Sequence, residues 1–172
     1  MSAEVPRLEP APLDGALPPL RWRWDAETDI LTGTCRKGPS DGFDGSVELT
    51  DPSGPVVVLD LADGAVVGVD VVVWPEVETT AQLALPDASR AARLVLATPR
   101  PLRGASAFEV EAPLALRANV AESLYHLRVG EAPVAQVVRV AGGLLVELDD
   151  QRRIAGCWLV DVPPFPSLDP DA

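Results

Sequence analysis

A chain of 172 residues carries 14 basic and 26 acidic side chains, a formal charge of −12, and 47% of it is hydrophobic. A fold of this size removes roughly 70% of the unfolded chain's surface from water, so one domain or two small ones can form without disulfides or metals. The acidic balance argues against nucleic-acid backbones and anionic membranes as partners, and no stretch reaches the roughly 20 apolar residues of a membrane-spanning helix.

Aromatic residues make up only 5% of the chain, so its core must be mainly Val, Leu and Ala. With 13 Gly and 18 Pro, that composition favours strands punctuated by turns. Residues 1–20 hold five prolines and are expected to form an extended arm, either mobile or lying along the body. They contain no apolar run long enough for a secretory signal.

Order is expected from "RWRWDAETDILTGTC", a hairpin turning at "DAET". Its first strand puts Trp22 and Trp24 on one side and Arg21, Arg23 and Asp25 on the other. "RKGPSDGFDG" reads as a loop, and "SVELTDPSGPVVVLDL" as strand, turn, strand. Asp63-Gly64 lies between two apolar runs, the signature of a type I′ hairpin turn with positive φ at both central residues. The next strand, "VVGVDVVVW", is apolar on both faces apart from Asp70 and predicts a central strand covered on both sides.

In residues 77–112, "TAQLAL" and "ARLVLAT" are read as a second hairpin around "PDASRA". A short helix capped by Asp87 over residues 88–96 is the alternative. "FEVEAPLALRA" is extended. "SLYHLRV" sets Tyr125, Leu127 and Val129 on one face and Leu124, His126 and Arg128 on the other. "GLLVELDDQRRIAGCWLVDV" is the last hairpin, followed by a Pro-rich tail.

The stretch at residues 56–75 returns at 144–163. Gly68 and Gly156 take matching places, and Asp29–Gly33 aligns with Ser123–Leu127. The copies share apolar residues, a glycine and a turn, whereas Asp29 meets Ser123 and Asp70 meets Trp158. This is duplication of a way of folding, since a duplicated site would keep its polar residues. The expected fold is all-β or β-dominated: two related antiparallel β-hairpin lobes in pseudo-twofold packing. The parts are an arm (1–20), a first repeat (21–76), a connecting segment (77–112), a second repeat (113–163) and a tail (164–172).

Trp24, Asp25, Asp29 and Leu31, followed by Asp63, Gly64, Gly68 and Asp70, resemble the two short motifs of the bacterial domain-of-unknown-function family 2283, here in two tandem divergent copies. In the second copy Asn119, Ser123 and Trp158 depart from those motifs. The resemblance implies a compact antiparallel β fold and a bacterial protein, and it implies no activity.

Few residues suggest chemistry. His126, flanked by Leu and Arg on a strand, reads as an ordinary structural or surface histidine, because a general base needs a nucleophile in reach. Cys157 reads as a buried inert thiol. Cys35 stands beside Arg36 and Lys37, which could lower its pKa and make it the better candidate for reactivity. Asp41 and Asp44 could hold a cation but lack an EF-hand spacing, and no ligand set suggests zinc. No metal or cofactor is expected, and no catalytic motif is present. The two cysteines lack CxxC spacing, so free thiols in a cytoplasmic protein are the expectation.

The expected function is non-catalytic, a protein-interaction or accessory module that could form a homodimer through a strand edge. The alternative is a small-ligand-binding protein whose inter-lobe cleft uses Asp70, Trp24, Trp74 and Trp158. A dry, filled lobe junction favours the first, and a polar cavity with Asp70 in its wall favours the second.

Overall fold

The structure is a computed structural model that describes residues 5–35, 45–97 and 106–166. Among them are fifteen strands: β1 (Leu8–Ala11), β2 (Arg21–Trp24), β3 (Leu31–Thr34), β4 (Gly45–Thr50), β5 (Val56–Ala62), β6 (Ala65–Val73), β7 (Val77–Thr79), β8 (Arg90–Ala91), β9 (Arg93–Leu96), β10 (Ser106–Glu111), β11 (Leu114–Asn119), β12 (Leu124–Val129), β13 (Gln136–Ala141), β14 (Leu144–Leu148) and β15 (Ile154–Leu159). A single 3₁₀ turn, Val120–Glu122, interrupts them. The fold is all-β, as the composition predicts.

The strands form two sheets. In the first, β2, β3, β6, β5 and β4 neighbour one another in that order; in the second, β11, β12, β15, β14 and β13 do the same. All neighbours within each set are antiparallel. Each repeat is therefore a five-stranded unit of one topology. Parallel strands extend equivalent edges, β10 beside β4 and β8 beside β13, and β7 runs parallel to β11.

The equivalence reaches single residues. Thr34 pairs with Gly68 and Gly68 with Asp60; in the second repeat Arg128 pairs with Gly156 and Gly156 with Glu147. Asp29 and Ser123, mismatched in type, share a left-handed backbone with φ of 61° and 53°. The alignment of Val56 with Leu144 is one residue out of register, however. Val57 pairs with Val71 as Leu144 pairs with Leu159, because the turn of the second hairpin is one residue longer. A one-residue slip exchanges the faces of a strand, so Val57 and Leu144 both point into the core.

The apolar faces of the two sheets meet in one core. Leu31, Val47, Leu49, Val57, Leu59, Val69 and Val71 of the first pack with Leu116, Leu127, Val138, Leu144, Val146, Cys157 and Leu159 of the second. Alternation along β4 and β5 supplies Val47, Leu49, Val57 and Leu59 of the first set. Between Val57, Val69 and Val71 on one side and Leu116, Leu127, Cys157 and Leu159 on the other remains a void of only about 10 Å³ with no polar lining. That is too small and too apolar to hold water. The junction is dry and filled.

Several expectations need correction. β6 is central but buried on one face only: Val66, Gly68, Val69 and Val71 are buried, Ala65, Val67, Asp70 and Val72 half-buried and Val73 exposed. The strands covered on both sides are β14 and β15 of the second repeat, buried along their whole length. Leu83, from the connecting segment, packs there with Leu124, Leu145, Trp158 and Val160. The "TAQLAL" stretch is no strand, and no hairpin forms around "PDASRA". β8 joins the second sheet through β13, while β9 joins the first through β1 and β6. The alternative helix over residues 88–96 is absent too. The N-terminal arm lies along the body and contributes β1, and Gly142 N–H donates to the Pro18 carbonyl at 2.8 Å.

Aspartates fasten the turns. Asp63 and Gly64 have φ of 50° and 75°, the type I′ turn expected from sequence. Asp149 accepts the backbone N–H groups of Gln151 and Arg153 at 2.8 and 2.9 Å and the Arg153 Nε–H at 2.9 Å. Burial pushes its pKa up, but these donors outweigh burial and hold it below the ordinary 3.8. A carboxylate depressed in the folded state stabilises the protein above its unfolded pKa, and that stabilisation is lost as pH falls through the lower folded value. Asp149→Ala is therefore expected to cost about 2 kcal/mol at neutral pH by stranding two backbone donors. Its deficit should shrink below pH 3.8, which denaturant melts across an acid series would check.

Candidate functional site

The four residues proposed for an inter-lobe cleft occupy three places. Asp70 pairs with Thr32 and Val58 on the face of the first sheet turned away from the core, so it is not in the junction. Its Oδ1 is buried and has no hydrogen-bond partner among the described residues. Trp158 is buried on the outer face of the second sheet, stacked on His126 with ring centroids 4.1 Å apart. Only Trp24 and Trp74 come together.

They do so at one end of the sandwich, where the β2–β3 turn of the first repeat meets the β11–β12 turn of the second. The two indoles stack with centroids 5.4 Å apart and 17° between planes. Tyr125 meets Trp74 edge-on at 5.9 Å, and Phe165 of the tail meets Trp24 edge-on at 5.1 Å. Trp74 Nε1–H donates to the Asp29 carbonyl at 2.7 Å, and Trp24 Nε1–H to the Pro163 carbonyl at 2.8 Å. With both donors satisfied, the rings are fixed as apolar surfaces. Partial burial pushes the Tyr125 phenol up.

These rings, with Asp29, Val77, Ala118 and Val120, line an open groove of about 340 Å³. Val120 is 64% exposed and Phe165 45%. The groove exists because the repeats diverged. The residue equivalent to Trp24 in the second repeat is Ala118, since Trp24 pairs with Leu31 as Ala118 pairs with Tyr125. One repeat supplies the large ring and the other the space beside it. Sequence reading found Trp24 and Trp74 but missed Asp29, Tyr125, Val120 and Phe165 as lining residues. Tyr125, on the apolar face of "SLYHLRV", was the available signal.

A second polar cluster lies on the outer face of the second sheet. Glu147, only 6% exposed, approaches His126 Nε2 at 2.5 Å, and its carboxylate lies over Gly156. His126 thus has a structural partner, and the nearby thiol of Cys157 belongs to the core instead. The same carboxylate and, more strongly, complete burial push the Cys157 thiol up to about 12, consistent with an inert thiol. Cys35 was the better candidate for a reactive thiol, but its shift runs against activation. Its Sγ–H donates to the Val67 carbonyl at 3.1 Å and burial raises its pKa. Asp41, Asp44, Arg36 and Lys37 lie outside the described residues. Among the described residues no three His, Cys, Asp or Glu side chains converge as metal ligands, and no helix is long and apolar enough to cross a membrane.

The chain matches no known family and no curated protein.

Proposed function

We propose that this protein is a non-catalytic interaction module whose working surface is the aromatic groove at the meeting of its two repeats. The observation that carries this reading is one concave surface that joins the half-buried rings of Trp74 and Tyr125 to the exposed side chains of Val77, Val120 and Phe165, beside a core already dry and full. Trp and Tyr fixed at the centre of an exposed apolar patch are the residue types that dominate binding energy at protein interfaces. The acidic charge favours a protein partner over nucleic acid. The resemblance to family 2283 belongs to the same proposal, supported by the Asp-Gly turn and the repeated antiparallel unit. A cytoplasmic setting is supported by the two cysteines, both free thiols.

The second reading, a small apolar or cationic ligand, would use the same groove, with Asp29 in the role first given to Asp70. Its supporting observation is the groove's volume, at the small end for a ligand pocket.

The test is capture of partners from an extract of the source cells by the immobilised chain. Trp74→Ala is expected to weaken capture at least tenfold, since a central aromatic anchor contributes about 2 kcal/mol or more. Asp70→Asn is expected to leave capture unchanged. Loss with Asp70→Asn and retention with Trp74→Ala would reject the groove.

A further inference from the structure

We propose that the segment docked in this groove is a basic, proline-containing extended peptide of another protein, an inference that rests on the interaction reading above. The recognition chemistry is already displayed by the chain's own tail. Trp24 donates its indole N–H to the carbonyl of Pro163, and Phe165 sets its ring edge against Trp24. Residues 163–166 read Pro-Pro-Phe-Pro. Proline carries no N–H, holds an extended backbone and offers an apolar ring, so an aromatic face suits it. Grooves lined by aromatic rings read proline-rich segments in this way. Among the described residues, the tail meets the groove at Trp24. Trp74, Tyr125, Val77 and Val120 continue the same surface, with Val120 the most exposed large apolar side chain described.

Charge selects the partner. Asp29 is the one charged residue lining the groove, and the exposed carboxylates Glu27, Glu76 and Glu122 stand within two residues of a lining residue. Arg23 and Arg117 also adjoin lining residues, but strand alternation turns them to the opposite faces, where Arg23 pairs with Thr32 and Arg117 with His126. An acidic rim around aromatic faces favours Arg or Lys, which can pair with the carboxylates and stack on the rings. A second copy is disfavoured, because it would bring a further −12 to the same rim.

The test is selection of a random twelve-residue phage-displayed library on the immobilised full-length chain, followed by affinity measurements on the enriched peptides. Enriched peptides are expected to contain proline with flanking Arg or Lys and to bind more weakly as salt is raised. Trp74→Ala should weaken them at least tenfold and Asp29→Asn about threefold, asparagine being tolerated at the left-handed φ of this position. Val120→Asp, at an exposed position that leaves the core untouched, should also weaken them and stands in if Trp74→Ala fails to fold. Enrichment of acidic or proline-free peptides, or no enrichment while extract capture still depends on Trp74, would overturn the partner class and leave the groove standing. Enriched peptides indifferent to both Trp74→Ala and Val120→Asp, with capture equally indifferent, would overturn both.

Discussion

Gly156→Ala is expected to destabilise the protein by about 3 kcal/mol, at the upper end of overpacking costs, lowering Tm by about 6–12 °C for a chain of this size. A Cβ at Gly156 would stand 2.6 Å from the Leu127 carbonyl oxygen and closer still to the Glu147 carboxylate. The first contact is backbone in the adjacent strand, so it can be relieved only by parting β12 from β15. The second is a buried side chain held by His126. The first repeat supplies the internal comparison. A Cβ at Gly68 would lie 2.5 Å from the Gly33 carbonyl oxygen, with Asp60 Oδ2 at 3.3 Å. Gly68→Ala should therefore also destabilise, by about 2 kcal/mol, the backbone clash being shared and the carboxylate less close. At Gly142 the nearest atom would be 3.8 Å away, and Gly142→Ala should change stability by less than about 0.5 kcal/mol. Thermal melts of the three variants would check this order.

His126→Ala is expected to cost about 3 kcal/mol. It removes the partner of Glu147, whose carboxylate is buried on the outer face of the second sheet, and the ring stacked on Trp158. Breaking a buried pair from one side leaves an uncompensated polar group, whereas replacing both members by apolar residues costs far less. The double replacement His126→Leu with Glu147→Leu should thus be more stable than His126→Ala with Glu147 retained. A double-mutant cycle by denaturant melts reads the coupling directly, and additive losses would show that the pair is not coupled.

Local chemistry was legible from the sequence wherever it is set by adjacent residues. The Asp63-Gly64 turn, the alternation of Trp22 and Trp24 against Arg21 and Arg23, and the two faces of "SLYHLRV" each depend on a short window, and each appears in the structure. The repeat was also legible, but only to within a residue. An extra residue in the turn after Leu148 moved β14 relative to β5, and no pattern within either hairpin records that shift. Positions fixed by distant pairing were hidden. β1 and β9 are strands because each completes the other, 88 residues apart at Leu8 and Leu96 in sequence yet neighbours in register. Of the "TAQLAL" stretch only Leu83 is buried, packed with Trp158 on the second sheet.

The site was hidden for a related reason. Asp70 stands out in sequence as the polar residue in an apolar strand, yet alternation turns it away from the core and from the other Trp residues. Trp24 and Trp74 were identifiable as rare aromatic residues, but the groove between them depends on Ala118 occupying the place that Trp24 takes in the other repeat. That relation becomes visible only after the two registers are superposed. The mismatched positions of the repeat are where the working surface arises, and the matched positions build the frame.

Photo-crosslinking in living cells tests the central claim most directly. A crosslinking phenylalanine analogue would be placed at Val120, on the groove, and separately at Glu109, exposed on the edge strand β10. Discrete crosslinks to another protein from Val120, with none from Glu109, are the expected result. Crosslinks from Glu109 to a second copy of the chain, with none from Val120, would contradict the groove and favour a dimer joined along the sheet edge.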